Sequence, residues 1–197
     1  MGITLRQFEQ LQSRTRRAAP AIEPTAAARS AHAVVLGIDP SLRGTGFGIV
    51  RIEKRQAASL SHGTIKCSAA WERSRCLVQI TQGIREQIEK FHPTACVVEG
   101  LFYAQNFQTA LIMGEARGAS LVAAAEAGLE IFEIAPRKVK QAIVGYGAAQ
   151  KLAVAKMVQR MLNLPAPPEA DAADALALTL AYAQSSSRYS FEAPRRV

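Results

Sequence analysis

Cysteine, histidine and acidic side chains are all scarce in this 197-residue chain, and each scarcity closes off a class of function. The cysteines are Cys67, Cys76 and Cys96, an odd number with no CxxC spacing, in segments that read as strand or helix. Neither a disulfide framework nor a zinc site follows from such a pattern, and a reducing compartment suits it. His32, His62 and His92 are scattered with no HxxxH pair, so they read as surface or structural groups and not as ligands. No stretch reaches the ~18 uninterrupted apolar residues that would span a bilayer, so a soluble protein with no membrane partner is expected. Aspartate and glutamate total 16 against 24 lysines and arginines, a formal net charge of +8. Such an excess suits an acidic partner, nucleic acid being the commonest for a basic domain of this size, although an ordinary solvated basic face has the same composition. Hydrophobic residues make up 49% of the chain, enough for one well-packed core.

Because acids are few, their positions carry weight. Asp39 ends the apolar run Val34-Val35-Leu36-Gly37-Ile38, Glu99 ends Ala95-Cys96-Val97-Val98, and Asp171 and Asp174 stand three apart in an alanine-rich stretch. An acid inside an apolar segment is costly unless it is paired, hydrogen-bonded or metal-bound. Each has a plain alternative: a turn aspartate before Pro40, a strand-end glutamate in solvent, a helix N-cap at Asp171. An N-cap accounts for one aspartate and not for two on the same helix face. Taken together, two strand-end carboxylates and an i,i+3 pair can converge on one pocket of hard oxygen ligands, the layout of a two-metal nuclease.

The pattern around them predicts an α/β domain. Val34 to Ile38, Gly46 to Ile52 and Leu60 to Lys66 read as an antiparallel meander of three strands. Trp71 to Phe91 has helical spacing, Ala95 to Glu99 is a buried fourth strand, Asn106 to Ala127 a long helix and Glu130 to Ile134 a fifth strand. Two closing helices, Ala148 to Leu162 and Ala170 to Ala183, are separated by Pro165, Pro167 and Pro168. That order is ribonuclease H-like: a mixed five-stranded sheet flanked by helices. The domain is expected over residues 33–184. Residues 1–32 carry Arg6, Arg14, Arg16, Arg17 and Arg29 against Glu9 and Glu23. They read as a flexible basic extension, with an organellar transit peptide or a DNA-binding arm as the functional alternatives. Residues 185–197 read as a disordered basic tail.

The segments Gly37-Ile38-Asp39-Pro40, Arg43-Gly44-Thr45-Gly46-Phe47-Gly48, Val97-Val98-Glu99-Gly100-Leu101-Phe102, Met113-Gly114-Glu115-Ala116-Arg117-Gly118, Val139-Lys140-Gln141 and Ala170-Asp171-Ala172-Ala173-Asp174-Ala175 occur in one order. Together they strongly resemble the bacterial RuvC family of Holliday-junction resolvases, from about residue 34 to about residue 183. Ser41-Leu42 departs from the glycine-containing turn usual in that family and leaves the four acids in place. The resemblance implies a structure-selective endonuclease that nicks two opposing strands of a four-way DNA junction in recombination and repair. Asp39, Glu99, Asp171 and Asp174 would be its catalytic residues and its ligands for two Mg²⁺, with Mn²⁺ able to substitute. Lys140 and Lys151, on either side of Gly145-Tyr146-Gly147, match family lysines that contact DNA; their plain reading is a solvated basic face. Phe102 matches an aromatic that stacks in the junction, or else a ring tucked under its loop. Gly114 and Gly118 permit close backbone approach, either on the sheet or across a dimer. A homodimer, the RuvA and RuvB branch-migration proteins and the bacterial cytoplasm are the implied partners and place. A ribonuclease H-like nuclease acting on structured RNA and a junction-binding protein without catalysis are the alternatives.

Overall fold

The computed structural model describes residues 33–53, 56–100, 106–185 and 194–197. Among them are six strands, β1 (Val34–Asp39), β2 (Gly44–Glu53), β3 (Gln56–Lys66), β4 (Ala95–Glu99), β5 (Glu130–Ile134) and β6 (Arg195–Arg196). Five helices accompany them: α1 (Arg73–Phe91), α2 (Phe107–Glu126), α3 (Pro136–Val144), α4 (Lys151–Met161) and α5 (Ala170–Ser185). The strands form one sheet in the order β3-β2-β1-β4-β5-β6. β1 to β3 are the expected antiparallel meander, while β4 lies parallel to β1 and β5 parallel to β4.

β1 and β4 are central and covered on both faces, which is why they read as unbroken apolar runs and not as alternating ones. Their alternate residues feed two separate cores. Leu36, Ile38, Cys96 and Val98 join Cys76, Ile80, Ile84 and Ile88 of α1 and Ala116, Ala123 and Ala124 of α2 on one side. Val35 and Val97 join Val139 and Ile143 of α3, Val154 and Val158 of α4, and Leu176 and Leu180 of α5 on the other. The domain is therefore three layers, α1 and α2 on one face of the sheet, α3, α4 and α5 on the opposite one.

Helix ends follow their local chemistry. α1 stops at His92, whose left-handed backbone (φ 48°) turns its N–H back to the Ile88 carbonyl, and Pro93 follows. Asn106 caps α2, its side-chain oxygen accepting the Gln108 N–H at 2.9 Å.

Four expectations need correcting. The sheet has six strands and not five, because Arg195 and Arg196 pair antiparallel with Glu133 and Phe132. That strand lies in the segment expected to be a disordered tail, and Ser185 likewise belongs to α5; residues 186–193 lie outside the described residues. α3 was not anticipated, although its signals are present: Pro136 at the first helical position and Gly145 at the left-handed stop, φ 81°. Gly114 and Gly118 do not pack on the sheet, since a Cβ at either would meet nothing within 4 Å. The basic extension at 1–32 lies outside the described residues. The three cysteines are free and buried, and His62 and His92 have structural settings, a bond with Ser59 and a helix end.

Candidate active site

β1 and β2 bring a row of glycines under α5. A Cβ on Gly37 would stand 2.1 Å from the Ala175 carbonyl oxygen, and one on Gly46 2.0 Å from that of Asp171, distances no side chain could occupy. The helix contributes alanines on its side: Ala172, Ala173, Ala175 and Ala177 are buried. Backbone thus lies on backbone, and that contact sets the position of both helix aspartates. Asp39 is opposite Gly46 in the β1–β2 register, and Gly46 lies under the Asp171 backbone, so Asp39 and Asp171 are brought together. The Asp171 carboxylate rests against the next glycine, its Oδ2 2.9 Å from where a Cβ of Gly44 would be.

Glu99 arrives from the neighbouring strand. Ile38 pairs with Val98 across β1 and β4, and one step further Asp39 and Glu99 end their strands side by side on the α5 face. The two carboxyls lie close enough for the charge of Glu99 to act directly on Asp39. Buried carboxyls this near to one another resist being charged together. Asp39 is pushed up to about 7, by burial first and then by the charges of Glu99, Asp174 and Asp171, with Lys151 pulling it down. Glu99 is also raised, by burial and by Asp174, against the opposing pull of Lys151, the bond with Asp39 and Lys140.

The structure therefore brings together Asp39, Glu99, Asp171 and Asp174, with Lys151 and Lys140 within electrostatic reach. Lys151 stands closer in than a phosphate-facing lysine would. Its Nζ is 2.8 Å from Asp174 Oδ2, and its ammonium is held charged through that bond. A cation as first residue of a helix opposes the helix dipole, and α4 has no side-chain cap to relieve it; the Asp174 carboxylate supplies the compensation. The side chain of Lys151 is still 66% exposed, so the pair is worth at most about 1 kcal/mol. It is easily exchanged. Phe102 lies outside the described residues.

Among the described residues no three acids, thiols or imidazoles are gathered tightly enough to hold an ion as they stand. One of the four carboxyls is already engaged: Asp174 is turned to Lys151. The donor set nevertheless fits a hard divalent cation. It consists of carboxyl oxygens alone, and its affinity for protons near neutral pH reports negative charge in want of a counter-ion. The glycine row was in the sequence as Gly37, Gly44, Gly46 and Gly48; its meaning required knowing which helix would land on it.

The profile of a family described as crossover junction endodeoxyribonuclease RuvC matches residues 35–182. A protein of that description from Akkermansia muciniphila is 45% identical over 148 residues, 75% of this chain and 89% of its own. One from Vibrio cholerae is 46% identical over 152 residues, covering 77% and 87%. Among solved structures, Thermus thermophilus RuvC in complex with a Holliday junction substrate superposes with a TM-score of 0.76 at 34% identity, covering 84% of this chain and all of that one.

Proposed function

The chain belongs to the RuvC family of crossover junction endodeoxyribonucleases, and from that premise we propose how its residues cut a Holliday junction. The protein is a hydrolase of DNA phosphodiester bonds with a ribonuclease H-like fold, acting in recombination and repair. Its substrate is the four-way junction, nicked in two strands of like polarity.

Asp39, Glu99, Asp171 and Asp174 are the catalytic carboxylates and would hold two divalent cations, Mg²⁺ by preference and Mn²⁺ as a substitute. When bound, these cations supply Lewis acidity at the scissile phosphate and neutralise the leaving 3′ oxygen. The chain's own residues do the rest. Asp39, raised to about 7 by burial and its acidic neighbours, would release its proton to solvent as the site fills, and the four carboxylates would then fix the geometry of in-line attack. Lys151 leaves Asp174 for the phosphate, a cheap exchange for so exposed an ion pair. Lys140 adds a second positive charge without reading bases. Phe102, three residues after Glu99, stacks on a base at the crossover and holds the junction open.

A homodimer is part of this reading, since a junction has two equivalent cutting sites related by a twofold axis. The outward face of α2 supports it. Phe107, Leu111 and Val122 are 76%, 49% and 51% exposed, and with Gly114 and Gly118 they fall on one side of the helix. RuvA and RuvB are the partners expected to deliver the junction, in a bacterial cytoplasm; no helix among the described residues is long and apolar enough to cross a membrane.

The observation that carries the proposal is the gathering of the four carboxyls, Asp39 buried among the charges of Glu99, Asp174 and Asp171 in a chain that is otherwise basic. A nicking assay on a mobile four-way junction, with and without Mg²⁺, tests it, with linear duplex and structured RNA as competing substrates. Paired nicks in the junction that depend on Mg²⁺ are expected. Cutting without a divalent cation, or preference for the RNA, would overturn it.

A further inference from the structure

Glu99 ends β4 with a backbone carbonyl that the sheet cannot satisfy. The Gly100 N–H bonds to the Ile134 carbonyl on β5, and backbone groups alternate sides along a strand, so the Glu99 carbonyl faces β1. Continuing the β1–β4 register by one step, its donor would be the N–H of residue 40. That residue is Pro40, which has none. A buried carbonyl without a donor is costly, and a side chain from the other layer fills the gap. Arg117 of α2 donates through Nη1 to the Glu99 carbonyl and through Nη2 to Glu133 Oε2 on β5. Arg117 is only 7% exposed, so its charge is held in place by that carboxylate and not by water.

We infer that Arg117, locked by Glu133, is a positioning residue for the reaction: it fixes the end of β4 from the face opposite the site and thereby aims the Glu99 carboxyl at Asp39. The planar fork of a guanidinium can reach a carbonyl and a carboxylate at once, which one lysine ammonium cannot do with the same geometry. Arg117 touches neither DNA nor the other three acids; its action passes through the Glu99 backbone. Gly100 fits the same device, since a Cβ there would press to 3.3 Å on the Glu133 carboxyl that holds the arginine. The inference rests on the reading of Glu99 as a catalytic carboxylate.

The test uses Arg117→Lys, Glu133→Gln and the double variant Arg117→Met with Glu133→Leu, which exchanges a buried ion pair for apolar bulk and so retains the fold. Single-turnover cleavage, junction affinity, melting temperature and the rise in melting temperature on adding Mg²⁺ are measured for each. Expected are a rate lowered about 10- to 100-fold, unchanged junction affinity, and a higher Mg²⁺ concentration needed both for cutting and for thermal stabilisation. Parent rates in all three variants would overturn the proposal. So would a rate that falls only in step with the fraction of protein unfolded at the assay temperature, because Arg117 would then be scaffold alone. Glu99→Gln is run beside them: if it cuts normally, the reading of Glu99 fails; if it is inactive while the Arg117 and Glu133 variants cut normally, only the positioning role fails.

Discussion

On the face covered by α1 and α2, the sheet offers Leu36, Ile38 and Val98 to Ile80, Ile84 and Ile88, so side chains set the spacing between layers. On the face covered by α5 it offers Gly37 and Gly46 to the backbone carbonyls of Ala175 and Asp171, so there backbones set it. An aliphatic interlayer can repack when one residue changes, because its contacts end in rotatable bonds. A backbone contact has no such slack. The chain uses the rigid arrangement where two helix aspartates must reach two strand-end carboxyls, and the forgiving one where only bulk is needed.

The sharpest break in this contrast is chemical. Asp39→Asn should lower junction cleavage by roughly a thousandfold or more, since it removes the carboxylate on which the others converge. Melting temperature at pH 8 should hold or rise, because an amide in that place ends the repulsion with Glu99, Asp174 and Asp171. Near-parent cutting would remove Asp39 from the site. Next in size is Gly46→Ala, whose new methyl meets the Asp171 carbonyl at 2.0 Å; a loss of roughly 3 kcal/mol or more is expected by denaturant titration. A variant as stable as the parent would mean that α5 can lift off the sheet.

Acidity gives a third, smaller effect. Asp39 titrates at about 7 in the fold against 3.8 for an ordinary aspartate, so between these values the folded protein holds a proton that the unfolded chain has lost. This group's contribution therefore falls as pH rises from about 4 to about 7, and stays low above it. Without Mg²⁺ the melting temperature should decline over that window. Mg²⁺ should restore it at pH 8 and do little at pH 5, where protons compete for the same oxygens. Equal Mg²⁺ effects at both pH values would contradict the account, and Asp39→Asn should flatten the profile. The smallest effect is the control on the opposite face. Gly83→Ala in α1 meets Ile65 Cδ1 at 2.9 Å, the movable end of a side chain, and gains helix propensity. Its stability should stay within about 1 kcal/mol of the parent, against the large loss at Gly46.

Much of this was legible in the chain because the signals were local. The runs before Asp39 and Glu99 announce buried strands whatever surrounds them, and an i,i+3 aspartate pair shares a helix face by geometry alone. The structure brings all four acids to one place, as their sequence positions implied. What was not legible depends on contacts between distant segments. Nothing near Lys151 indicates that its ammonium turns inward to Asp174, because Asp174 belongs to another helix. Arg117 lies in the segment Met113 to Gly118, yet its partner is a carbonyl left without a donor by a proline 77 residues earlier in the chain. β6 could not be read from two arginines in a serine-rich stretch, since nothing in their own composition favours a strand. α3 is different: Pro136 and Gly145 marked its ends, and nine residues were simply too few for periodicity to stand out.

The last strand also bears on how molecules meet one another. Without it β5 would be the outer edge of the sheet, a row of open amide and carbonyl groups onto which a strand of a neighbouring molecule could add. Arg195 and Arg196 occupy that row, Val197 donates its N–H to the Ile131 carbonyl at 3.0 Å, and Arg196 reaches Glu130 Oε1 at 2.9 Å. An incoming chain meets a cationic strand two residues long, too short to template an extended ladder and too charged to stack in register with itself. The Arg195–Arg196 strand thus covers the β5 edge with positive charge, which disfavours the addition of a further strand there.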